Sequence, residues 1–293
     1  MSNNCDVAST FCNKRTETKP MPSTSKYVDV EALLGPKLLK KIPRFVVNYL
    51  KKIVHQDDLN AAITANPDTV GADFLRVALD TLDIHADVRG RENLPTDGLY
   101  IFACNHPLGG PEALIIGEVI RQHYGNQLKF IVNSLLTEMK PLAPLFLPVN
   151  TLGGGQSRET TRRIAELFES DNQVCLFPAG ICARKIDGQV TEMPWKKMFI
   201  NRARTYQRHI IPVHCTGENS RRFYLLAKLG KMLHLRFNIA MLYLVDELYK
   251  KQHQTFTVTF GKPIPWQTLD NSKTDQEWAA EIRQTVINLG TQP

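Results

Sequence analysis

The sequence predicts an α/β fold, a mostly parallel central sheet flanked by helices, preceded by an N-terminal module of helices. Two observations carry the prediction. From about residue 91 to the end, short apolar runs of strand length alternate repeatedly with segments whose apolar residues recur at helical spacing. Between residues 28 and 90 only the helical period is present. With 43% hydrophobic and 22% charged residues over 293 positions, the chain has an ordinary globular balance and can bury one large core or two modest ones.

Taken in order, residues 1–27 read as a disordered polar tail without the apolar stretch or cleavage site of a signal peptide. Residues 28–90 form the helical module, first VDVEALLGPKLLKKIPRFVVNYLKKIVHQDDLNAAI and then, after Asn66-Pro67, DTVGADFLRVALDTLDI. Residues 91–293 form the α/β domain, where YIFAC, KFIVN, QVCLFPAG, HIIPVHCTG and FTVTFGKPI read as strands. EALIIGEVIRQHY, RETTRRIAELFES and KKMFINRARTYQR read as the intervening helices. Beyond the tail there is no repeat or low-complexity tract.

The formal charge of +7 favours an anionic partner, whether nucleic acid, a phospholipid surface or an acidic carrier protein. Six cysteines lie scattered without CxxC pairs, as expected of reduced thiols in a cytoplasmic compartment. No run reaches the roughly 18 uninterrupted apolar residues of a membrane-spanning helix, so any membrane contact is expected to be peripheral. A basic amphipathic stretch, PKLLKKIPRFVVNYLKKIV, suits such contact. In it Lys37, Lys40, Lys41, Arg44, Lys51 and Lys52 alternate with apolar residues including Phe45, and no acid intervenes. A core-packed helix with a solvated basic face is the plainer alternative. FYLLAKLGKMLHLRFNIAMLYLVDELYKK is apolar enough for a groove wall or an interface contact, with core packing again the plainer role.

Four segments can carry chemistry. In FACNHPLGGPEAL an apolar run stops at Asn105-His106-Pro107, turns through Gly109 and Gly110, and restarts as a helix near Glu112. A histidine at such a strand end faces a crevice, and Glu112 can turn back to fix its tautomer for proton abstraction. A structural turn histidine is the bland reading of the same pattern. QVCLFPAGICARK runs from a buried strand through Gly180 to Arg184 and Lys185, two cations suited to a phosphate or carboxylate. FLPVNTLGGGQSRETTRRIAEL joins a triple-glycine turn to a helix opening near Arg158 and can cradle an anion, although it lacks the ending of a Walker loop. IIPVHCTGENSRRFY is a further strand running into a polar loop and two arginines.

In this order the segments resemble the lysophosphatidic acid acyltransferase (PlsC-like) family over about residues 95–265. Asn105-His106 resembles its Asn-His-x4-Asp block, Phe177-Pro178 with Gly180 its Phe-Pro-Glu-Gly-Thr-Arg block, and Ile211-Pro212-Val213 its Val-Pro-Val strand. Pro111 falls where the family aspartate stands, so Glu112 would complete the dyad, as in a bacterial branch with NHPLGG followed by an acid. Asn150 stands for the strand-end arginine of the second block, with Arg158 eight residues on. Ala179, Ile181 and Cys182 replace Glu, Thr and Arg of the third, passing phosphate contact to Arg184 or Lys185.

The resemblance implies a glycerol-3-phosphate acyltransferase-like fold and acyl transfer from an acyl-ACP or acyl-CoA thioester to a lysophospholipid or lyso-aminolipid hydroxyl. His106 would be the base, with Glu112 holding it. Asn105, Gly109, Gly110, Asn150, Arg158, Gly180, Arg184 and Lys185 would form the substrate site, and no acyl-enzyme, cofactor or metal would be needed. The expected partners are an anionic membrane surface, the lysolipid acceptor and the carrier protein or coenzyme A thioester, without nucleic acid. The expected location is the cytoplasmic face of the inner membrane. A hydrolase would need a nucleophile elbow, which is absent, and neither Cys182 nor Ser157 has a partner the sequence can assign. A zinc enzyme built on His106, Glu112, His214 and Cys215 lacks paired-ligand spacing. A basic membrane- or RNA-binding protein without catalysis is the remaining alternative.

Overall fold

A computed structural model describes residues 27–149, 157–232 and 239–291. The N-terminal part contains α1 (Val30–Leu39), broken at Gly35, then α2 (Arg44–Ile53), α3 (Gln56–Ala65) and α4 (Asp73–Leu82). The rest runs β1 (His85–Arg89), β2 (Tyr100–Cys104), α5 (Pro111–Tyr124), β3 (Leu128–Asn133), β4 (Phe146–Val149), α6 (Arg158–Glu169) and β5 (Gln173–Leu176). It continues with β6 (Arg184–Ile186), β7 (Gln189–Thr191), α7 (Met198–Thr205), β8 (His209–Cys215), α8 (Arg221–Met232), α9 (Leu244–Tyr249), β9 (Thr255–Phe260) and α10 (Asp275–Leu289).

The described strands build a sheet in the order β1-β9-β8-β2-β5-β3-β4, with β6 and β7 forming a separate hairpin. Every neighbouring pair in the sheet is parallel except β8 and β9. The expected mostly parallel α/β architecture is therefore the observed one. Strand β2 lies near the middle and is buried along its whole length, which is why YIFAC is apolar without alternation. Its side chains still divide between the two faces. Phe102 and Cys104 pack with α4 and α5, whereas Ile101 and Ala103 pack with α6, α7 and α10.

The helical module is less continuous than its periodicity suggests. Pro43 precedes α2, and His55 takes a left-handed conformation at φ 49° before α3. The segment expected to stay helical to residue 90 does not. Asp83 ends α4 in the left-handed region, and His85–Arg89 becomes β1, an edge strand whose backbone pairs in parallel with β9. Its side chains are largely exposed, so partner hydrogen bonding rather than an apolar signal makes it a strand. Helix α4 buries Phe74, Leu75, Leu79 and Leu82 in the same core as α5. Gly117 permits this contact, since a methyl group there would lie 2.9 Å from both Leu75 and Phe130.

Phe102 is fully buried at the centre of the sheet and meets Phe260 edge to face at 6.3 Å. Phe102→Ala is expected to cost about 3–5 kcal/mol of stability, measured as a shift of the urea unfolding midpoint.

Candidate active site

Strands β5, β2 and β8 run parallel side by side, so their C-terminal ends share one edge, where α/β sheets place their sites. Strand β2 delivers Asn105 and His106 to that edge. The Asn105 amide donates to the Cys215 carbonyl at 2.9 Å and accepts from the Cys215 N–H at 2.7 Å, extending the β2–β8 ladder through a side chain. Asn105 therefore anchors the loop, with both polar ends engaged by backbone. From the loop after β8, Asn219 donates to the carbonyls of Pro107 and Leu108 at 3.2 and 2.9 Å.

The loop closes around Glu112. This side chain is completely buried, and its Oε1 lies 2.9 Å from His106 Nδ1. The N–H groups of Leu108 and Gly109 donate to Oε1 at 3.0 and 2.7 Å, and that of Gly110 donates to Oε2 at 3.0 Å. Glu112 also lies in the first turn of α5, where the helix dipole favours a negative charge. The longer side chain thus makes a His-x5-Glu spacing geometrically workable. Burial alone would raise the Glu112 pKa, but the imidazole and the loop amides outweigh it and hold the carboxyl below its usual range. An ionised carboxylate only accepts, so Nδ1 carries the proton, and in the neutral imidazole Nε2 keeps its lone pair. Gly109 is required at its position. It sits at φ 95°, and a Cβ there would lie 2.7 Å from both Cys182 Sγ and Leu244 Cδ2.

Three groups complete the surroundings of His106. The Phe177 ring stacks on the imidazole with centroids 4.2 Å apart, which fixes the ring plane. The buried Cys182 thiol lies beside the imidazole and favours its charged form. Glu192 accepts from the His106 N–H at 3.1 Å and from Trp195 Nε1 at 2.9 Å, and burial pushes its pKa up. Burial disfavours the imidazolium, but Cys182 and the Glu112 carboxylate outweigh it, so the His106 pKa lies well above its usual value of 6.5. About 17% of the His106 side chain remains exposed.

Arg184 follows directly. It donates to the carbonyls of Cys182 and Ala183 at 2.8 and 3.2 Å and lies 5.6 Å from the centre of the Phe223 ring. Among the described residues it enters no ion pair, and burial lowers its pKa. A half-buried guanidinium without a carboxylate partner among the described residues has the chemistry to hold an anion. Lys185 is exposed on the hairpin, where successive side chains alternate sides. Gly180 turns the chain after β5, its N–H bonded to Phe177 O at 2.9 Å, and Lys196 reaches over it. Arg158 is exposed at the start of α6, while Asn150 and the triple-glycine turn lie outside the described residues. His214 faces Gly290 near the end of α10 rather than His106. Among the described residues, no group of three or more His, Cys, Asp or Glu is arranged to hold a metal.

The imidazole held by a buried carboxylate at a parallel strand end is a candidate acid–base site, and the chain belongs to the acyltransferase family, whose model matches residues 29–289. It is similar to two lyso-glycine lipid O-acyltransferases. One, from Bacteroides thetaiotaomicron, is 47% identical over 265 residues, covering 89% of this chain and 97% of the relative. The other, from Phocaeicola vulgatus, is 44% identical over 265 residues, covering 89% and 95%. Among solved structures, the PlsC 1-acyl-sn-glycerophosphate acyltransferase of Thermotoga maritima matches with a TM-score of 0.46 at 17% identity, covering 86% of this chain and 84% of its own.

Cys182, Glu192, Asn219 and Lys196 were not indicated by any spacing, because each reaches the site from a distant segment. Only the third block's replacement of arginine by cysteine marks position 182 beforehand.

A base acts when unprotonated, so kcat/KM should rise with pH along a limb centred above 6.5, the usual imidazole value. Glu112→Gln removes the charge that stabilises the imidazolium. The limb should then move to lower pH while its plateau falls by roughly 10²-fold or more, read from pH–rate profiles of both proteins.

Proposed function

We propose that this acyltransferase moves a fatty acyl group from an acyl-ACP or acyl-CoA thioester to the hydroxyl of a lysophospholipid or lyso-aminolipid in membrane lipid synthesis. The observation that carries the reading is the Nδ1–Oε1 contact of 2.9 Å between His106 and a fully buried Glu112. It leaves Nε2 free to act as a base, and the relatives' activity on lyso-glycine lipid supports a lysolipid hydroxyl as the group acted on. The acceptor hydroxyl approaches Nε2 and loses its proton as its oxygen attacks the thioester carbonyl. Collapse of the tetrahedral intermediate forms the ester and expels the carrier thiolate, which takes the proton back from His106. No residue of the chain is acylated in this scheme.

In this reading Arg184 holds the anionic headgroup or carrier phosphate by charge-assisted hydrogen bonds, with Lys185 and Lys196 as cations at its rim. Within residues 28–90, the basic amphipathic stretch from Lys37 to Lys52 docks the enzyme peripherally on the cytoplasmic face of an anionic membrane, while α4 and β1 join the α/β unit that carries the chemistry. Lys37, Lys40, Lys41, Arg44, Phe45 and Lys52 are exposed, as docking needs, whereas Lys51 is half-buried and paired with Glu31. Among the described residues no helix is long and apolar enough to cross a membrane.

With a labelled acyl thioester and a lysolipid acceptor, His106→Ala should lose about 10²–10⁴-fold in rate while its thermal melt stays close to that of the parent. A His106→Ala protein that turns over normally would overturn the assignment. Arg184→Ala should raise KM far more than it lowers kcat, as initial-rate measurements will show. Neutralising Lys40, Lys41 and Lys52 together should weaken liposome association by about 1 kcal/mol per charge, and the difference should vanish at high salt.

A further inference from the structure

Helix α8 presents two apolar faces. Phe223, Tyr224 and Ala227 are buried in a cluster that includes Cys182, the residue lying against His106. Leu225, Leu229 and Met232 are instead 66%, 41% and 64% exposed. At roughly 100° per residue these two sets fall on opposite sides of the helix, so core packing explains the inner set and leaves the outer one unexplained. The outer stripe continues onto a second helix. Tyr49 of α2 bonds to Arg222 at the start of α8, and Phe45, one turn earlier on the same face of α2, is 73% exposed. Arg221, Arg222 and Lys228 on α8, with Arg44 and Lys52 on α2, are also exposed. Single exposed apolar side chains are ordinary, whereas a stripe shared by adjoining helices marks a contact surface. Its cationic border complements an anionic lipid surface.

We propose that α8 forms the second half of a bilayer-docking surface. Leu225, Leu229 and Met232 enter the interface of an anionic phospholipid bilayer beside Phe45, and the flanking arginines and Lys228 meet its phosphates. This deepens the membrane-docking reading given above and rests on it. It adds an orientation. The helix whose outer face lies on lipid packs its inner face beside Cys182, so His106 stands about one helix diameter, roughly 10 Å, from the bilayer. An acceptor can then present its hydroxyl to Nε2 while its acyl chain stays in the membrane.

The test is flotation of the full chain with vesicles of phosphatidylglycerol and phosphatidylcholine. The double variant Leu225→Asp/Leu229→Asp should bind roughly tenfold or more weakly with an unchanged melting temperature, since both side chains are exposed. The milder Leu225→Gln should fall between it and the parent. Because flotation reads no turnover, the same series made on His106→Ala should behave identically, which separates docking from chemistry. Unchanged flotation of the double variant, or flotation indifferent to phosphatidylglycerol, would overturn the proposal. So would light scattering that shows a parent dimer split by the double variant, since the stripe would then join two copies of the chain.

Discussion

The structure around the site depends on one carboxylate. Glu112 is removed from water entirely, and its burial is tolerable because three loop N–H groups and an imidazole nitrogen surround it. The same contacts shape the loop. A segment of Leu-Gly-Gly has little intrinsic order, and the carboxylate supplies it by drawing successive amides to one point. Fixing the loop fixes His106, and the dipole of α5 makes that position favourable for the charge. The His106 tautomer follows from this one buried group, which together with Cys182 also raises the imidazole pKa.

The sheet makes the arrangement rigid. Because β5, β2 and β8 are parallel neighbours, Phe177, His106 and the loop after Cys215 emerge from adjacent strands at the same edge. Each contributes differently. Phe177 fixes the ring plane, Asn105 ties β2 to β8 beyond the last ladder bond, and Asn219 holds the carbonyls of Pro107 and Leu108. Glu192 anchors the His106 backbone from the far end of a hairpin that belongs to neither strand. The imidazole is thus held from several directions, the preorganisation that the proposed base requires.

Much of this was legible in the sequence, and the reasons differ by element. The central strands are apolar because both their faces are covered, so YIFAC, QVCLF and HIIPV announce themselves. The strand-end histidine followed by glycines and an acid indicates the pairing because those residues are local to one another. Edge strand β1 is not legible, since its exposed side chains carry no apolar period and its identity comes from β9. The β6–β7 hairpin is too short to show a pattern. Cys182, Glu192 and Asn219 become neighbours of His106 only through topology, and spacing along the chain holds no record of that. The amphipathic stretch around α2 is readable as such, but the exposed face of α8 looks the same in sequence as its buried one.

The contact between Gly109, Cys182 and Leu244 bears on how this family can diversify. Space for even one carbon at position 109 is already filled by a sulfur and a leucine methyl from two separate segments. Any residue larger than glycine at position 109 therefore needs volume given up at Cys182 or Leu244.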